Sequence, residues 1–349
     1  MHLNAIYKSK LASRAILLAA LTGLMLLLPG LTAAQVCPKA ITKCGCTITT
    51  AAIYTLSNDI SATARGDCID IAKDHAILNL KGHSIIGRND GTGIGIHILN
   101  GADHVIVEGG DESANDPPQD PAGDVTGSAQ GSITQWSIGI LDDADDAVIE
   151  LLGVIGAGTP PSNPSTSNNT TGVYLNRVQN TVIGDFTATG NGKYGVVVDH
   201  CTHVQIDNVG ANGNGEAGVW ITNSSDSRLG PASITGNLDL GAWVDTSDKN
   251  VVFDIASTNN TNIGVALGCG SKQDGCAGTH QSNQNLVTNT TVTGNKMGTV
   301  IGKQSGNNVV TINQNAGNGD NVDLVDDNNK CGSNVWYNNV GSGSQDCIQ

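Results

Sequence analysis

Large side chains are scarce in this 349-residue chain: it has only 11 aromatic residues (Phe 2, Trp 4, Tyr 5) and 3 methionines. A thick globular core of the usual kind is therefore excluded, and a narrow one of Val, Ile, Leu and Ala is what remains. Positive charge is scarce too, with 17 Lys and Arg against 32 Asp and Glu. Such a surface repels nucleic acid and anionic lipid, both of which need a basic patch. It also disfavours strongly acidic polysaccharides unless a local cation intervenes. Long apolar runs are missing after the first 34 residues, so no membrane insertion is expected. The Leu-x-x-Leu-x-Leu frame and the Gly-Gly-x-Gly-x-Asp calcium nonapeptide are absent as well, which excludes two common solenoids.

The one apolar run lies at the start. Lys8, Lys10 and Arg14 precede Ile16 to Leu28, followed by Pro29, Gly30 and the small residues Thr32, Ala33 and Ala34. Positive, apolar and small residues in that order read as a secretory signal, residues 1–34, cleaved near Ala34. Export fits the nine cysteines, which in an oxidising compartment read as disulfides. Cys331 and Cys347 bracket the C-terminal tail, Cys269 and Cys276 bracket a short loop, and each pair is expected to bridge locally. Cys37, Cys44, Cys46 and Cys68 form an N-terminal group whose pairing stays open, and Cys201 is left over as a buried thiol.

What is abundant is glycine, 45 in all, and it is periodic. Gly172-Val173-Tyr174-Leu175 recurs at Gly195, Gly218, Gly241 and Gly264, with a step of 23 residues each time. Val182-Ile183, Gln205-Ile206, Arg228-Leu229 and Val251-Val252 keep the same step, and so do Asn191, Asn214, Asn237 and Asn260. Weaker copies begin at Cys68, Gly95, Gly139, Gly298 and Asn321, with insertions near 110–132, 156–170 and 268–283. Short strands with this repeat cannot bury their apolar side alone, so stacked coils are expected. The sequence thus predicts a right-handed parallel β-helix of about ten coils over residues 35–349. An N-terminal cap at about 35–66 and a stapled C-terminal cap at about 328–349 close it. Alternation places Val173/Leu175, Val196/Val198 and Val219/Ile221 inside and the residues between them outside. The repeated Asn is expected to stack as a turn ladder.

Cys44-Gly45-Cys46-Thr47-Ile48-Thr49, Tyr54-Thr55-Leu56, Asp67-Cys68-Ile69 and Leu78-Asn79-Leu80-Lys81-Gly82-His83-Ser84-Ile85-Ile86-Gly87 resemble the opening of secreted right-handed β-helix proteins. The ending Cys331-Gly332-Ser333-Asn334-Val335-Trp336-Tyr337-Asn338-Asn339 resembles their C-terminal cap. The resemblance implies the pectate-lyase-like superfold, within a broad class of carbohydrate-binding proteins and sugar hydrolases. The catalytic signatures of polygalacturonases and alginate epimerases are missing. Asp142-Asp143 and Asp145-Asp146 read as a solvated acidic turn, and Gly82-His83-Ser84 as part of a structural strand.

The outward column of the first strand carries the chemistry. Its middle positions are Asp70, His97, Tyr174, Val197, Trp220, Trp243, Ala266, Val300 and Asp323; two residues on stand Asn176, Asp199, Thr222 and Asp245. Flat rings flanked by carboxylates, amides and hydroxyls suit a sugar polymer. Tyr174, Asn176, Trp220, Thr222 and Trp243 are therefore the expected substrate contacts, either as an open platform or buried under an insertion. Asp199 and Asp245, two coils apart, are the candidate acid and base of a hydrolase or lyase, with His200 assisting. The residues leave open whether the face cleaves at all. The expected partner is an extracellular polysaccharide, with no nucleic acid and no set oligomeric state. No cofactor is called for; Ca2+ has no supporting ligand set, and a copper role would want clustered His or Met, which the sequence does not display. The alternative is a non-catalytic, adhesin-like surface protein.

Overall fold

A computed structural model describes residues 35–110, 131–155, 170–268, 280–319, 322–343 and 347–348. These residues form a right-handed parallel β-helix. Its first sheet takes one short strand from every coil, among them Cys46–Ile48, Ile69–Ile71, Ile94–Ile98, Ile138–Asp142, Thr171–Asn176, Tyr194–Asp199, Ala217–Thr222 and Leu240–Asp245. Neighbours pair in parallel and in register: Val173, Val196, Val219, Ala242 and Val265 are successive partners. The second sheet takes two segments per coil and bends at a corner between them. Asp185, Asn208, Asp254 and Asn289 occupy that corner in the left-handed region, with φ of 47, 49, 49 and 52°. Asn and Asp tolerate this conformation better than other residues with a side chain.

The interior is the narrow aliphatic column that the composition demands. Val173, Leu175, Val196, Val198, Val219 and Ile221 are fully buried, as are Ile183, Ile206, Leu229 and Val252 from the second sheet. Burying a Val, Leu or Ile side chain contributes roughly 1.5–3 kcal/mol. No α-helix occurs among the described residues; a single 3-10 turn spans Asn329–Cys331.

Asparagine side chains run up the turn that leads into the first sheet. Asn214 accepts hydrogen bonds at its Oδ1 from the backbone N–H (3.0 Å) and the Nδ2 (2.9 Å) of Asn191. It donates its own Nδ2 to the carbonyl of Ala188 and to Asn237 Oδ1. The ladder continues through Asn260, Asn295 and Asn318. It also explains the periodic glycine. A Cβ on Gly195 would lie 2.9 Å from Asn214 Nδ2 and 2.5 Å from the carbonyl oxygen of Gly218, so only glycine fits beside the amide. Two further ladders support the turn after the first sheet, one of Ser224, Ser247, Ser282 and Ser305, the other of Asn250, Asn285 and Asn308.

The N-terminal cysteines pair as Cys37–Cys46 and Cys44–Cys68, Cys331 pairs with Cys347, and Cys201 is a free buried thiol. Cys269 and Cys276 lie outside the described residues, as do the cores of the three insertions. The sequence frame needs correction in the last coil. Val325, not Asp323, partners Val300, so the outward position is apolar. Asp326 then points inward, where its Oδ2 accepts from the indole N–H of Trp336 at 3.0 Å and from Asn334 Nδ2 at 3.0 Å. Asp323 instead accepts from Asn318 Nδ2 and from the backbone and hydroxyl of Ser342. Among the described residues no helix is long and apolar enough to cross a membrane.

Because each ladder amide satisfies buried backbone groups, Asn214→Ala should cost roughly 2–4 kcal/mol, through the N–H of Asn191 and the carbonyl of Ala188 left without partners. Urea unfolding checks this; a loss below about 0.5 kcal/mol would contradict the role given to the ladder.

Candidate functional site

The outer face of the first sheet carries two parallel rows set by the pairing register. Asp70, His97, Leu141, Tyr174, Val197, Trp220 and Trp243 stand in one. Asn176, Asp199, Thr222 and Asp245 stand in the other. Between them lies a shallow cleft of about 300 Å³, lined by Tyr174, Val197, Asp199, Trp220, Thr222, Asn223, Asp245, Thr246 and His280. Five residues expected from sequence, Tyr174, Asp199, Trp220, Thr222 and Asp245, thus meet in one place. Asn223, Thr246 and His280 join them unforeseen. His280 follows an insertion, so no repeat position marks it.

The polar groups of the cleft are held by one another. Tyr174 donates its hydroxyl to Asp199 Oδ2 at 2.7 Å. Asp199 Oδ1 is 2.6 Å from His200 Nδ1 and accepts from Asn223 Nδ2 at 3.2 Å. Burial raises the Tyr174 pKa, and the adjacent carboxylate of Asp199 raises it further, so the hydroxyl stays protonated at neutral pH. Asp245 is buried, with Oδ1 2.9 Å and Oδ2 3.1 Å from His280 Nδ1. Thr246 donates its hydroxyl to Asp245 Oδ1 at 3.1 Å. Asn176 does not line the cleft; it donates to Asp143 Oδ1 at 2.7 Å, beyond its N-terminal end. His200 touches Asp199 from outside, with half of its side chain exposed. Cys201 lies behind the row, its thiol pKa pushed up to about 12 by burial.

The two tryptophans are neither an open platform nor fully buried. Trp220 and Trp243 stack on each other, with ring centroids 5.1 Å apart and planes 12° from parallel. Tyr194 packs on Trp220 at 4.9 Å. In-register coils repeat at ~4.8 Å, close to ring-stacking distance, so aromatics in one column stack along it. The faces of Trp220 are therefore taken by Tyr194 and Trp243, and the indole offers a ligand its edge. Trp243 also donates its indole N–H to the carbonyl of Gly268 at 3.0 Å.

The acidic run before the cleft is not a solvated turn throughout. Asp142 ends a strand facing inward and is fully buried. Desolvation raises its pKa to about 7, and the charges of Asp143 and Asp145 add to that; hydrogen bonds from the Ala144 N–H and the Thr181 hydroxyl oppose it. Asp143 lies 2.9 Å from His97 Nε2. His83 sits 3.4 Å from Asp59, outside the cleft.

Residues 160–267 match a family model described as "Periplasmic copper-binding protein (NosD)". The match covers less than half of the chain. No curated protein matches by sequence. Among solved structures, the A-module of mannuronan C-5 epimerase AlgE6 from Azotobacter vinelandii is 14% identical, with a TM-score of 0.49, over 82% of this chain and 69% of that one. The periplasmic alginate epimerase AlgG is 16% identical, with a TM-score of 0.42, over 76% and 62%. The Dettilon tailspike protein is 12% identical, with a TM-score of 0.47, over 78% and 45%. The chain therefore spans less than half of the tailspike and about two thirds of the epimerases. The copper of the family's description has no ligand set within the described residues of 160–267. The two groups of three possible ligands, Asp67/Asp70/His97 and Asp74/His75/His104, both precede that segment.

Asp142 gives the fold a pH dependence whose sign follows from its buried carboxyl. A folded-state pKa of about 7 against an ordinary 3.8 favours the protonated acid in the native state. Its contribution is intact below pH ~4 and is lost as the pH rises to about 7, by on the order of a few kcal/mol. Asp142→Asn should remove that loss, so that the variant gains stability over the parent between pH 5 and 8. Urea midpoints measured across that range check it; equal pH profiles for the two proteins would contradict the assignment.

Proposed function

We propose that the protein is an exported β-helix that binds a neutral or weakly charged polysaccharide along the outer face of its first sheet. The observation that carries this reading is the row Asp199, Thr222 and Asp245. Consecutive coils present one polar side chain each, with Tyr174 and Asn223 beside Asp199 and His280 on Asp245. Donors and acceptors repeated at ~4.8 Å suit a polymer lying across coils better than a compact ligand, which would want a deep apolar pocket. The side chains are pinned by the hydrogen bonds described above, so binding orders little that is not already ordered. Three disulfides and the N-terminal signal pattern support export.

Binding without cleavage is the form the geometry supports best. An inverting hydrolase needs one carboxylate free to activate a water. Here both oxygens of Asp199 are engaged by Tyr174, His200 and Asn223, and both oxygens of Asp245 face His280. Asp199 thus serves to position its neighbours and to accept sugar hydroxyls at the rim, and the buried Asp245 to hold His280.

The test is a panel of insoluble and immobilised polysaccharides, neutral and acidic, scored for retention and for release of reducing ends. Retention on at least one neutral polymer is expected, without new reducing ends. Asp199→Asn and Thr222→Val should each weaken it by roughly 1–2 kcal/mol, the value of a hydrogen bond lost from a preformed site. Retention on no polymer would leave the structural, adhesin-like reading standing, and steady release of reducing ends would overturn the non-catalytic form.

A further inference from the structure

Up the same face, toward the N-terminus, stand three side chains that the cleft does not use. Asp70 and His97 are direct partners on neighbouring coils, and Asp67 lies three residues before Asp70. One ligand atom from each of the three lies within 4.8 Å of the other two. The neighbouring group Asp74/His75/His104 is more open, with the two imidazoles 66% and 55% exposed. Asp67, Asp70 and His97 are all partly buried.

Asp67 and His97 are fixed from the far side. Asp67 Oδ1 accepts the backbone N–H of Ile94 at 3.0 Å, which leaves Oδ2 facing His97 Nδ1 at 3.4 Å. The other ring nitrogen, Nε2, lies 2.9 Å from Asp143 Oδ2, and Asp143 is itself held by Asn176 at 2.7 Å. A carboxylate behind a ligating imidazole fixes ring orientation and tautomer, directing the lone pair of the opposite nitrogen at the metal. Asp70 Oδ1 is buried and has no hydrogen-bond partner. A buried carboxylate oxygen left without a partner is costly, and a cation would satisfy it.

We propose that Asp67, Asp70 and His97 form a binding site for a first-row transition divalent cation of the Zn2+ class, with Asp143 as the outer-shell partner of His97. The class follows from the donors: imidazole selects borderline metals, and Ca2+ prefers six or more oxygens. Tetrahedral bonds of ~2.0–2.1 Å put ligand atoms about 3.4 Å apart, and Nδ1 of His97 already lies 3.4 Å from Asp67 Oδ2. Three protein ligands leave a coordination position open to water or to a hydroxyl or carboxylate from outside. The site shares its row with Tyr174, two coils further on, so that position faces the surface proposed above for polysaccharide. Metal binding itself does not depend on that reading.

Isothermal titration of the metal-stripped protein with Zn2+ tests the proposal, with Ca2+ as a parallel arm. One saturable Zn2+ site is expected, with Ca2+ binding more weakly. Asp70→Asn and His97→Gln should abolish it, and Asp143→Asn should weaken it about ten- to a hundredfold, as loss of an outer-shell partner does. His75→Gln should leave it unchanged. Titration with Co2+ supplies a second readout: a visible absorption band of tetrahedral Co2+ present in the parent and lost in His97→Gln. Circular dichroism of each variant shows whether the β-helix persists. Absence of saturable Zn2+ binding, tighter binding of Ca2+, or loss of the site in His75→Gln but not in His97→Gln would each overturn it.

Discussion

Everything in this molecule depends on coils stacking in register, and the side-chain amide ladder is what holds the register. An aliphatic interior alone tolerates slippage, because Val, Ile and Leu at alternating positions are interchangeable. An asparagine that must accept from the coil below, donate to a carbonyl and pass its amide to the coil above tolerates none. The ladder also forbids a Cβ at the neighbouring strand position, and so fixes glycine there. Local chemistry and global stacking then agree at each coil, which is the consistency that lets a repetitive sequence choose a single structure.

Register in turn decides what the outer face can be. Residues 23 apart are brought to ~4.8 Å, so a position becomes a row and the chemistry of one residue is multiplied along the axis. Rings in such a row stack on one another, as Trp220 and Trp243 do, and with Tyr194 packed on Trp220 from the neighbouring coil they give up faces that a sugar would need. Polar residues in the adjacent row bond sideways to loop residues and line the cleft. Toward the N-terminus the same arithmetic places Asp70 beside His97 and Asp143 beside Asn176, a denser set of ligating groups than the charge-poor composition suggests.

Much of this is legible in the sequence because a 23-residue step is a geometric statement as well as a pattern. The inward set, both strand columns and the asparagines from Asn191 to Asn260 follow from it directly. Three kinds of feature do not. Where an insertion lengthens the step, the ladder continues but its spacing does not, so Asn295 and His280 carry no periodic mark. Where an acid replaces an aliphatic residue inside a coil, the hydrophobic pattern misleads: Asp142 reads as part of a solvated run, and with Asp326 inside the last coil the frame there shifts by two residues. Ring orientation is invisible as well. Sequence places Trp220 and Trp243 in one column, but only the stacking distance says which surfaces of the rings remain.

The central claim is that the outer face of the first sheet, between Tyr174 and His280, is where a polysaccharide lies. A crystal structure of the protein soaked with an oligosaccharide from a polymer that retains it tests this most directly. The account predicts sugar density across at least two coils, with hydroxyls within hydrogen-bonding distance of Asp199 and Thr222. Density elsewhere, for instance in the groove of the second sheet beside Phe186, Asn208 and Pro231, with the Tyr174–His280 cleft holding only water, would contradict it.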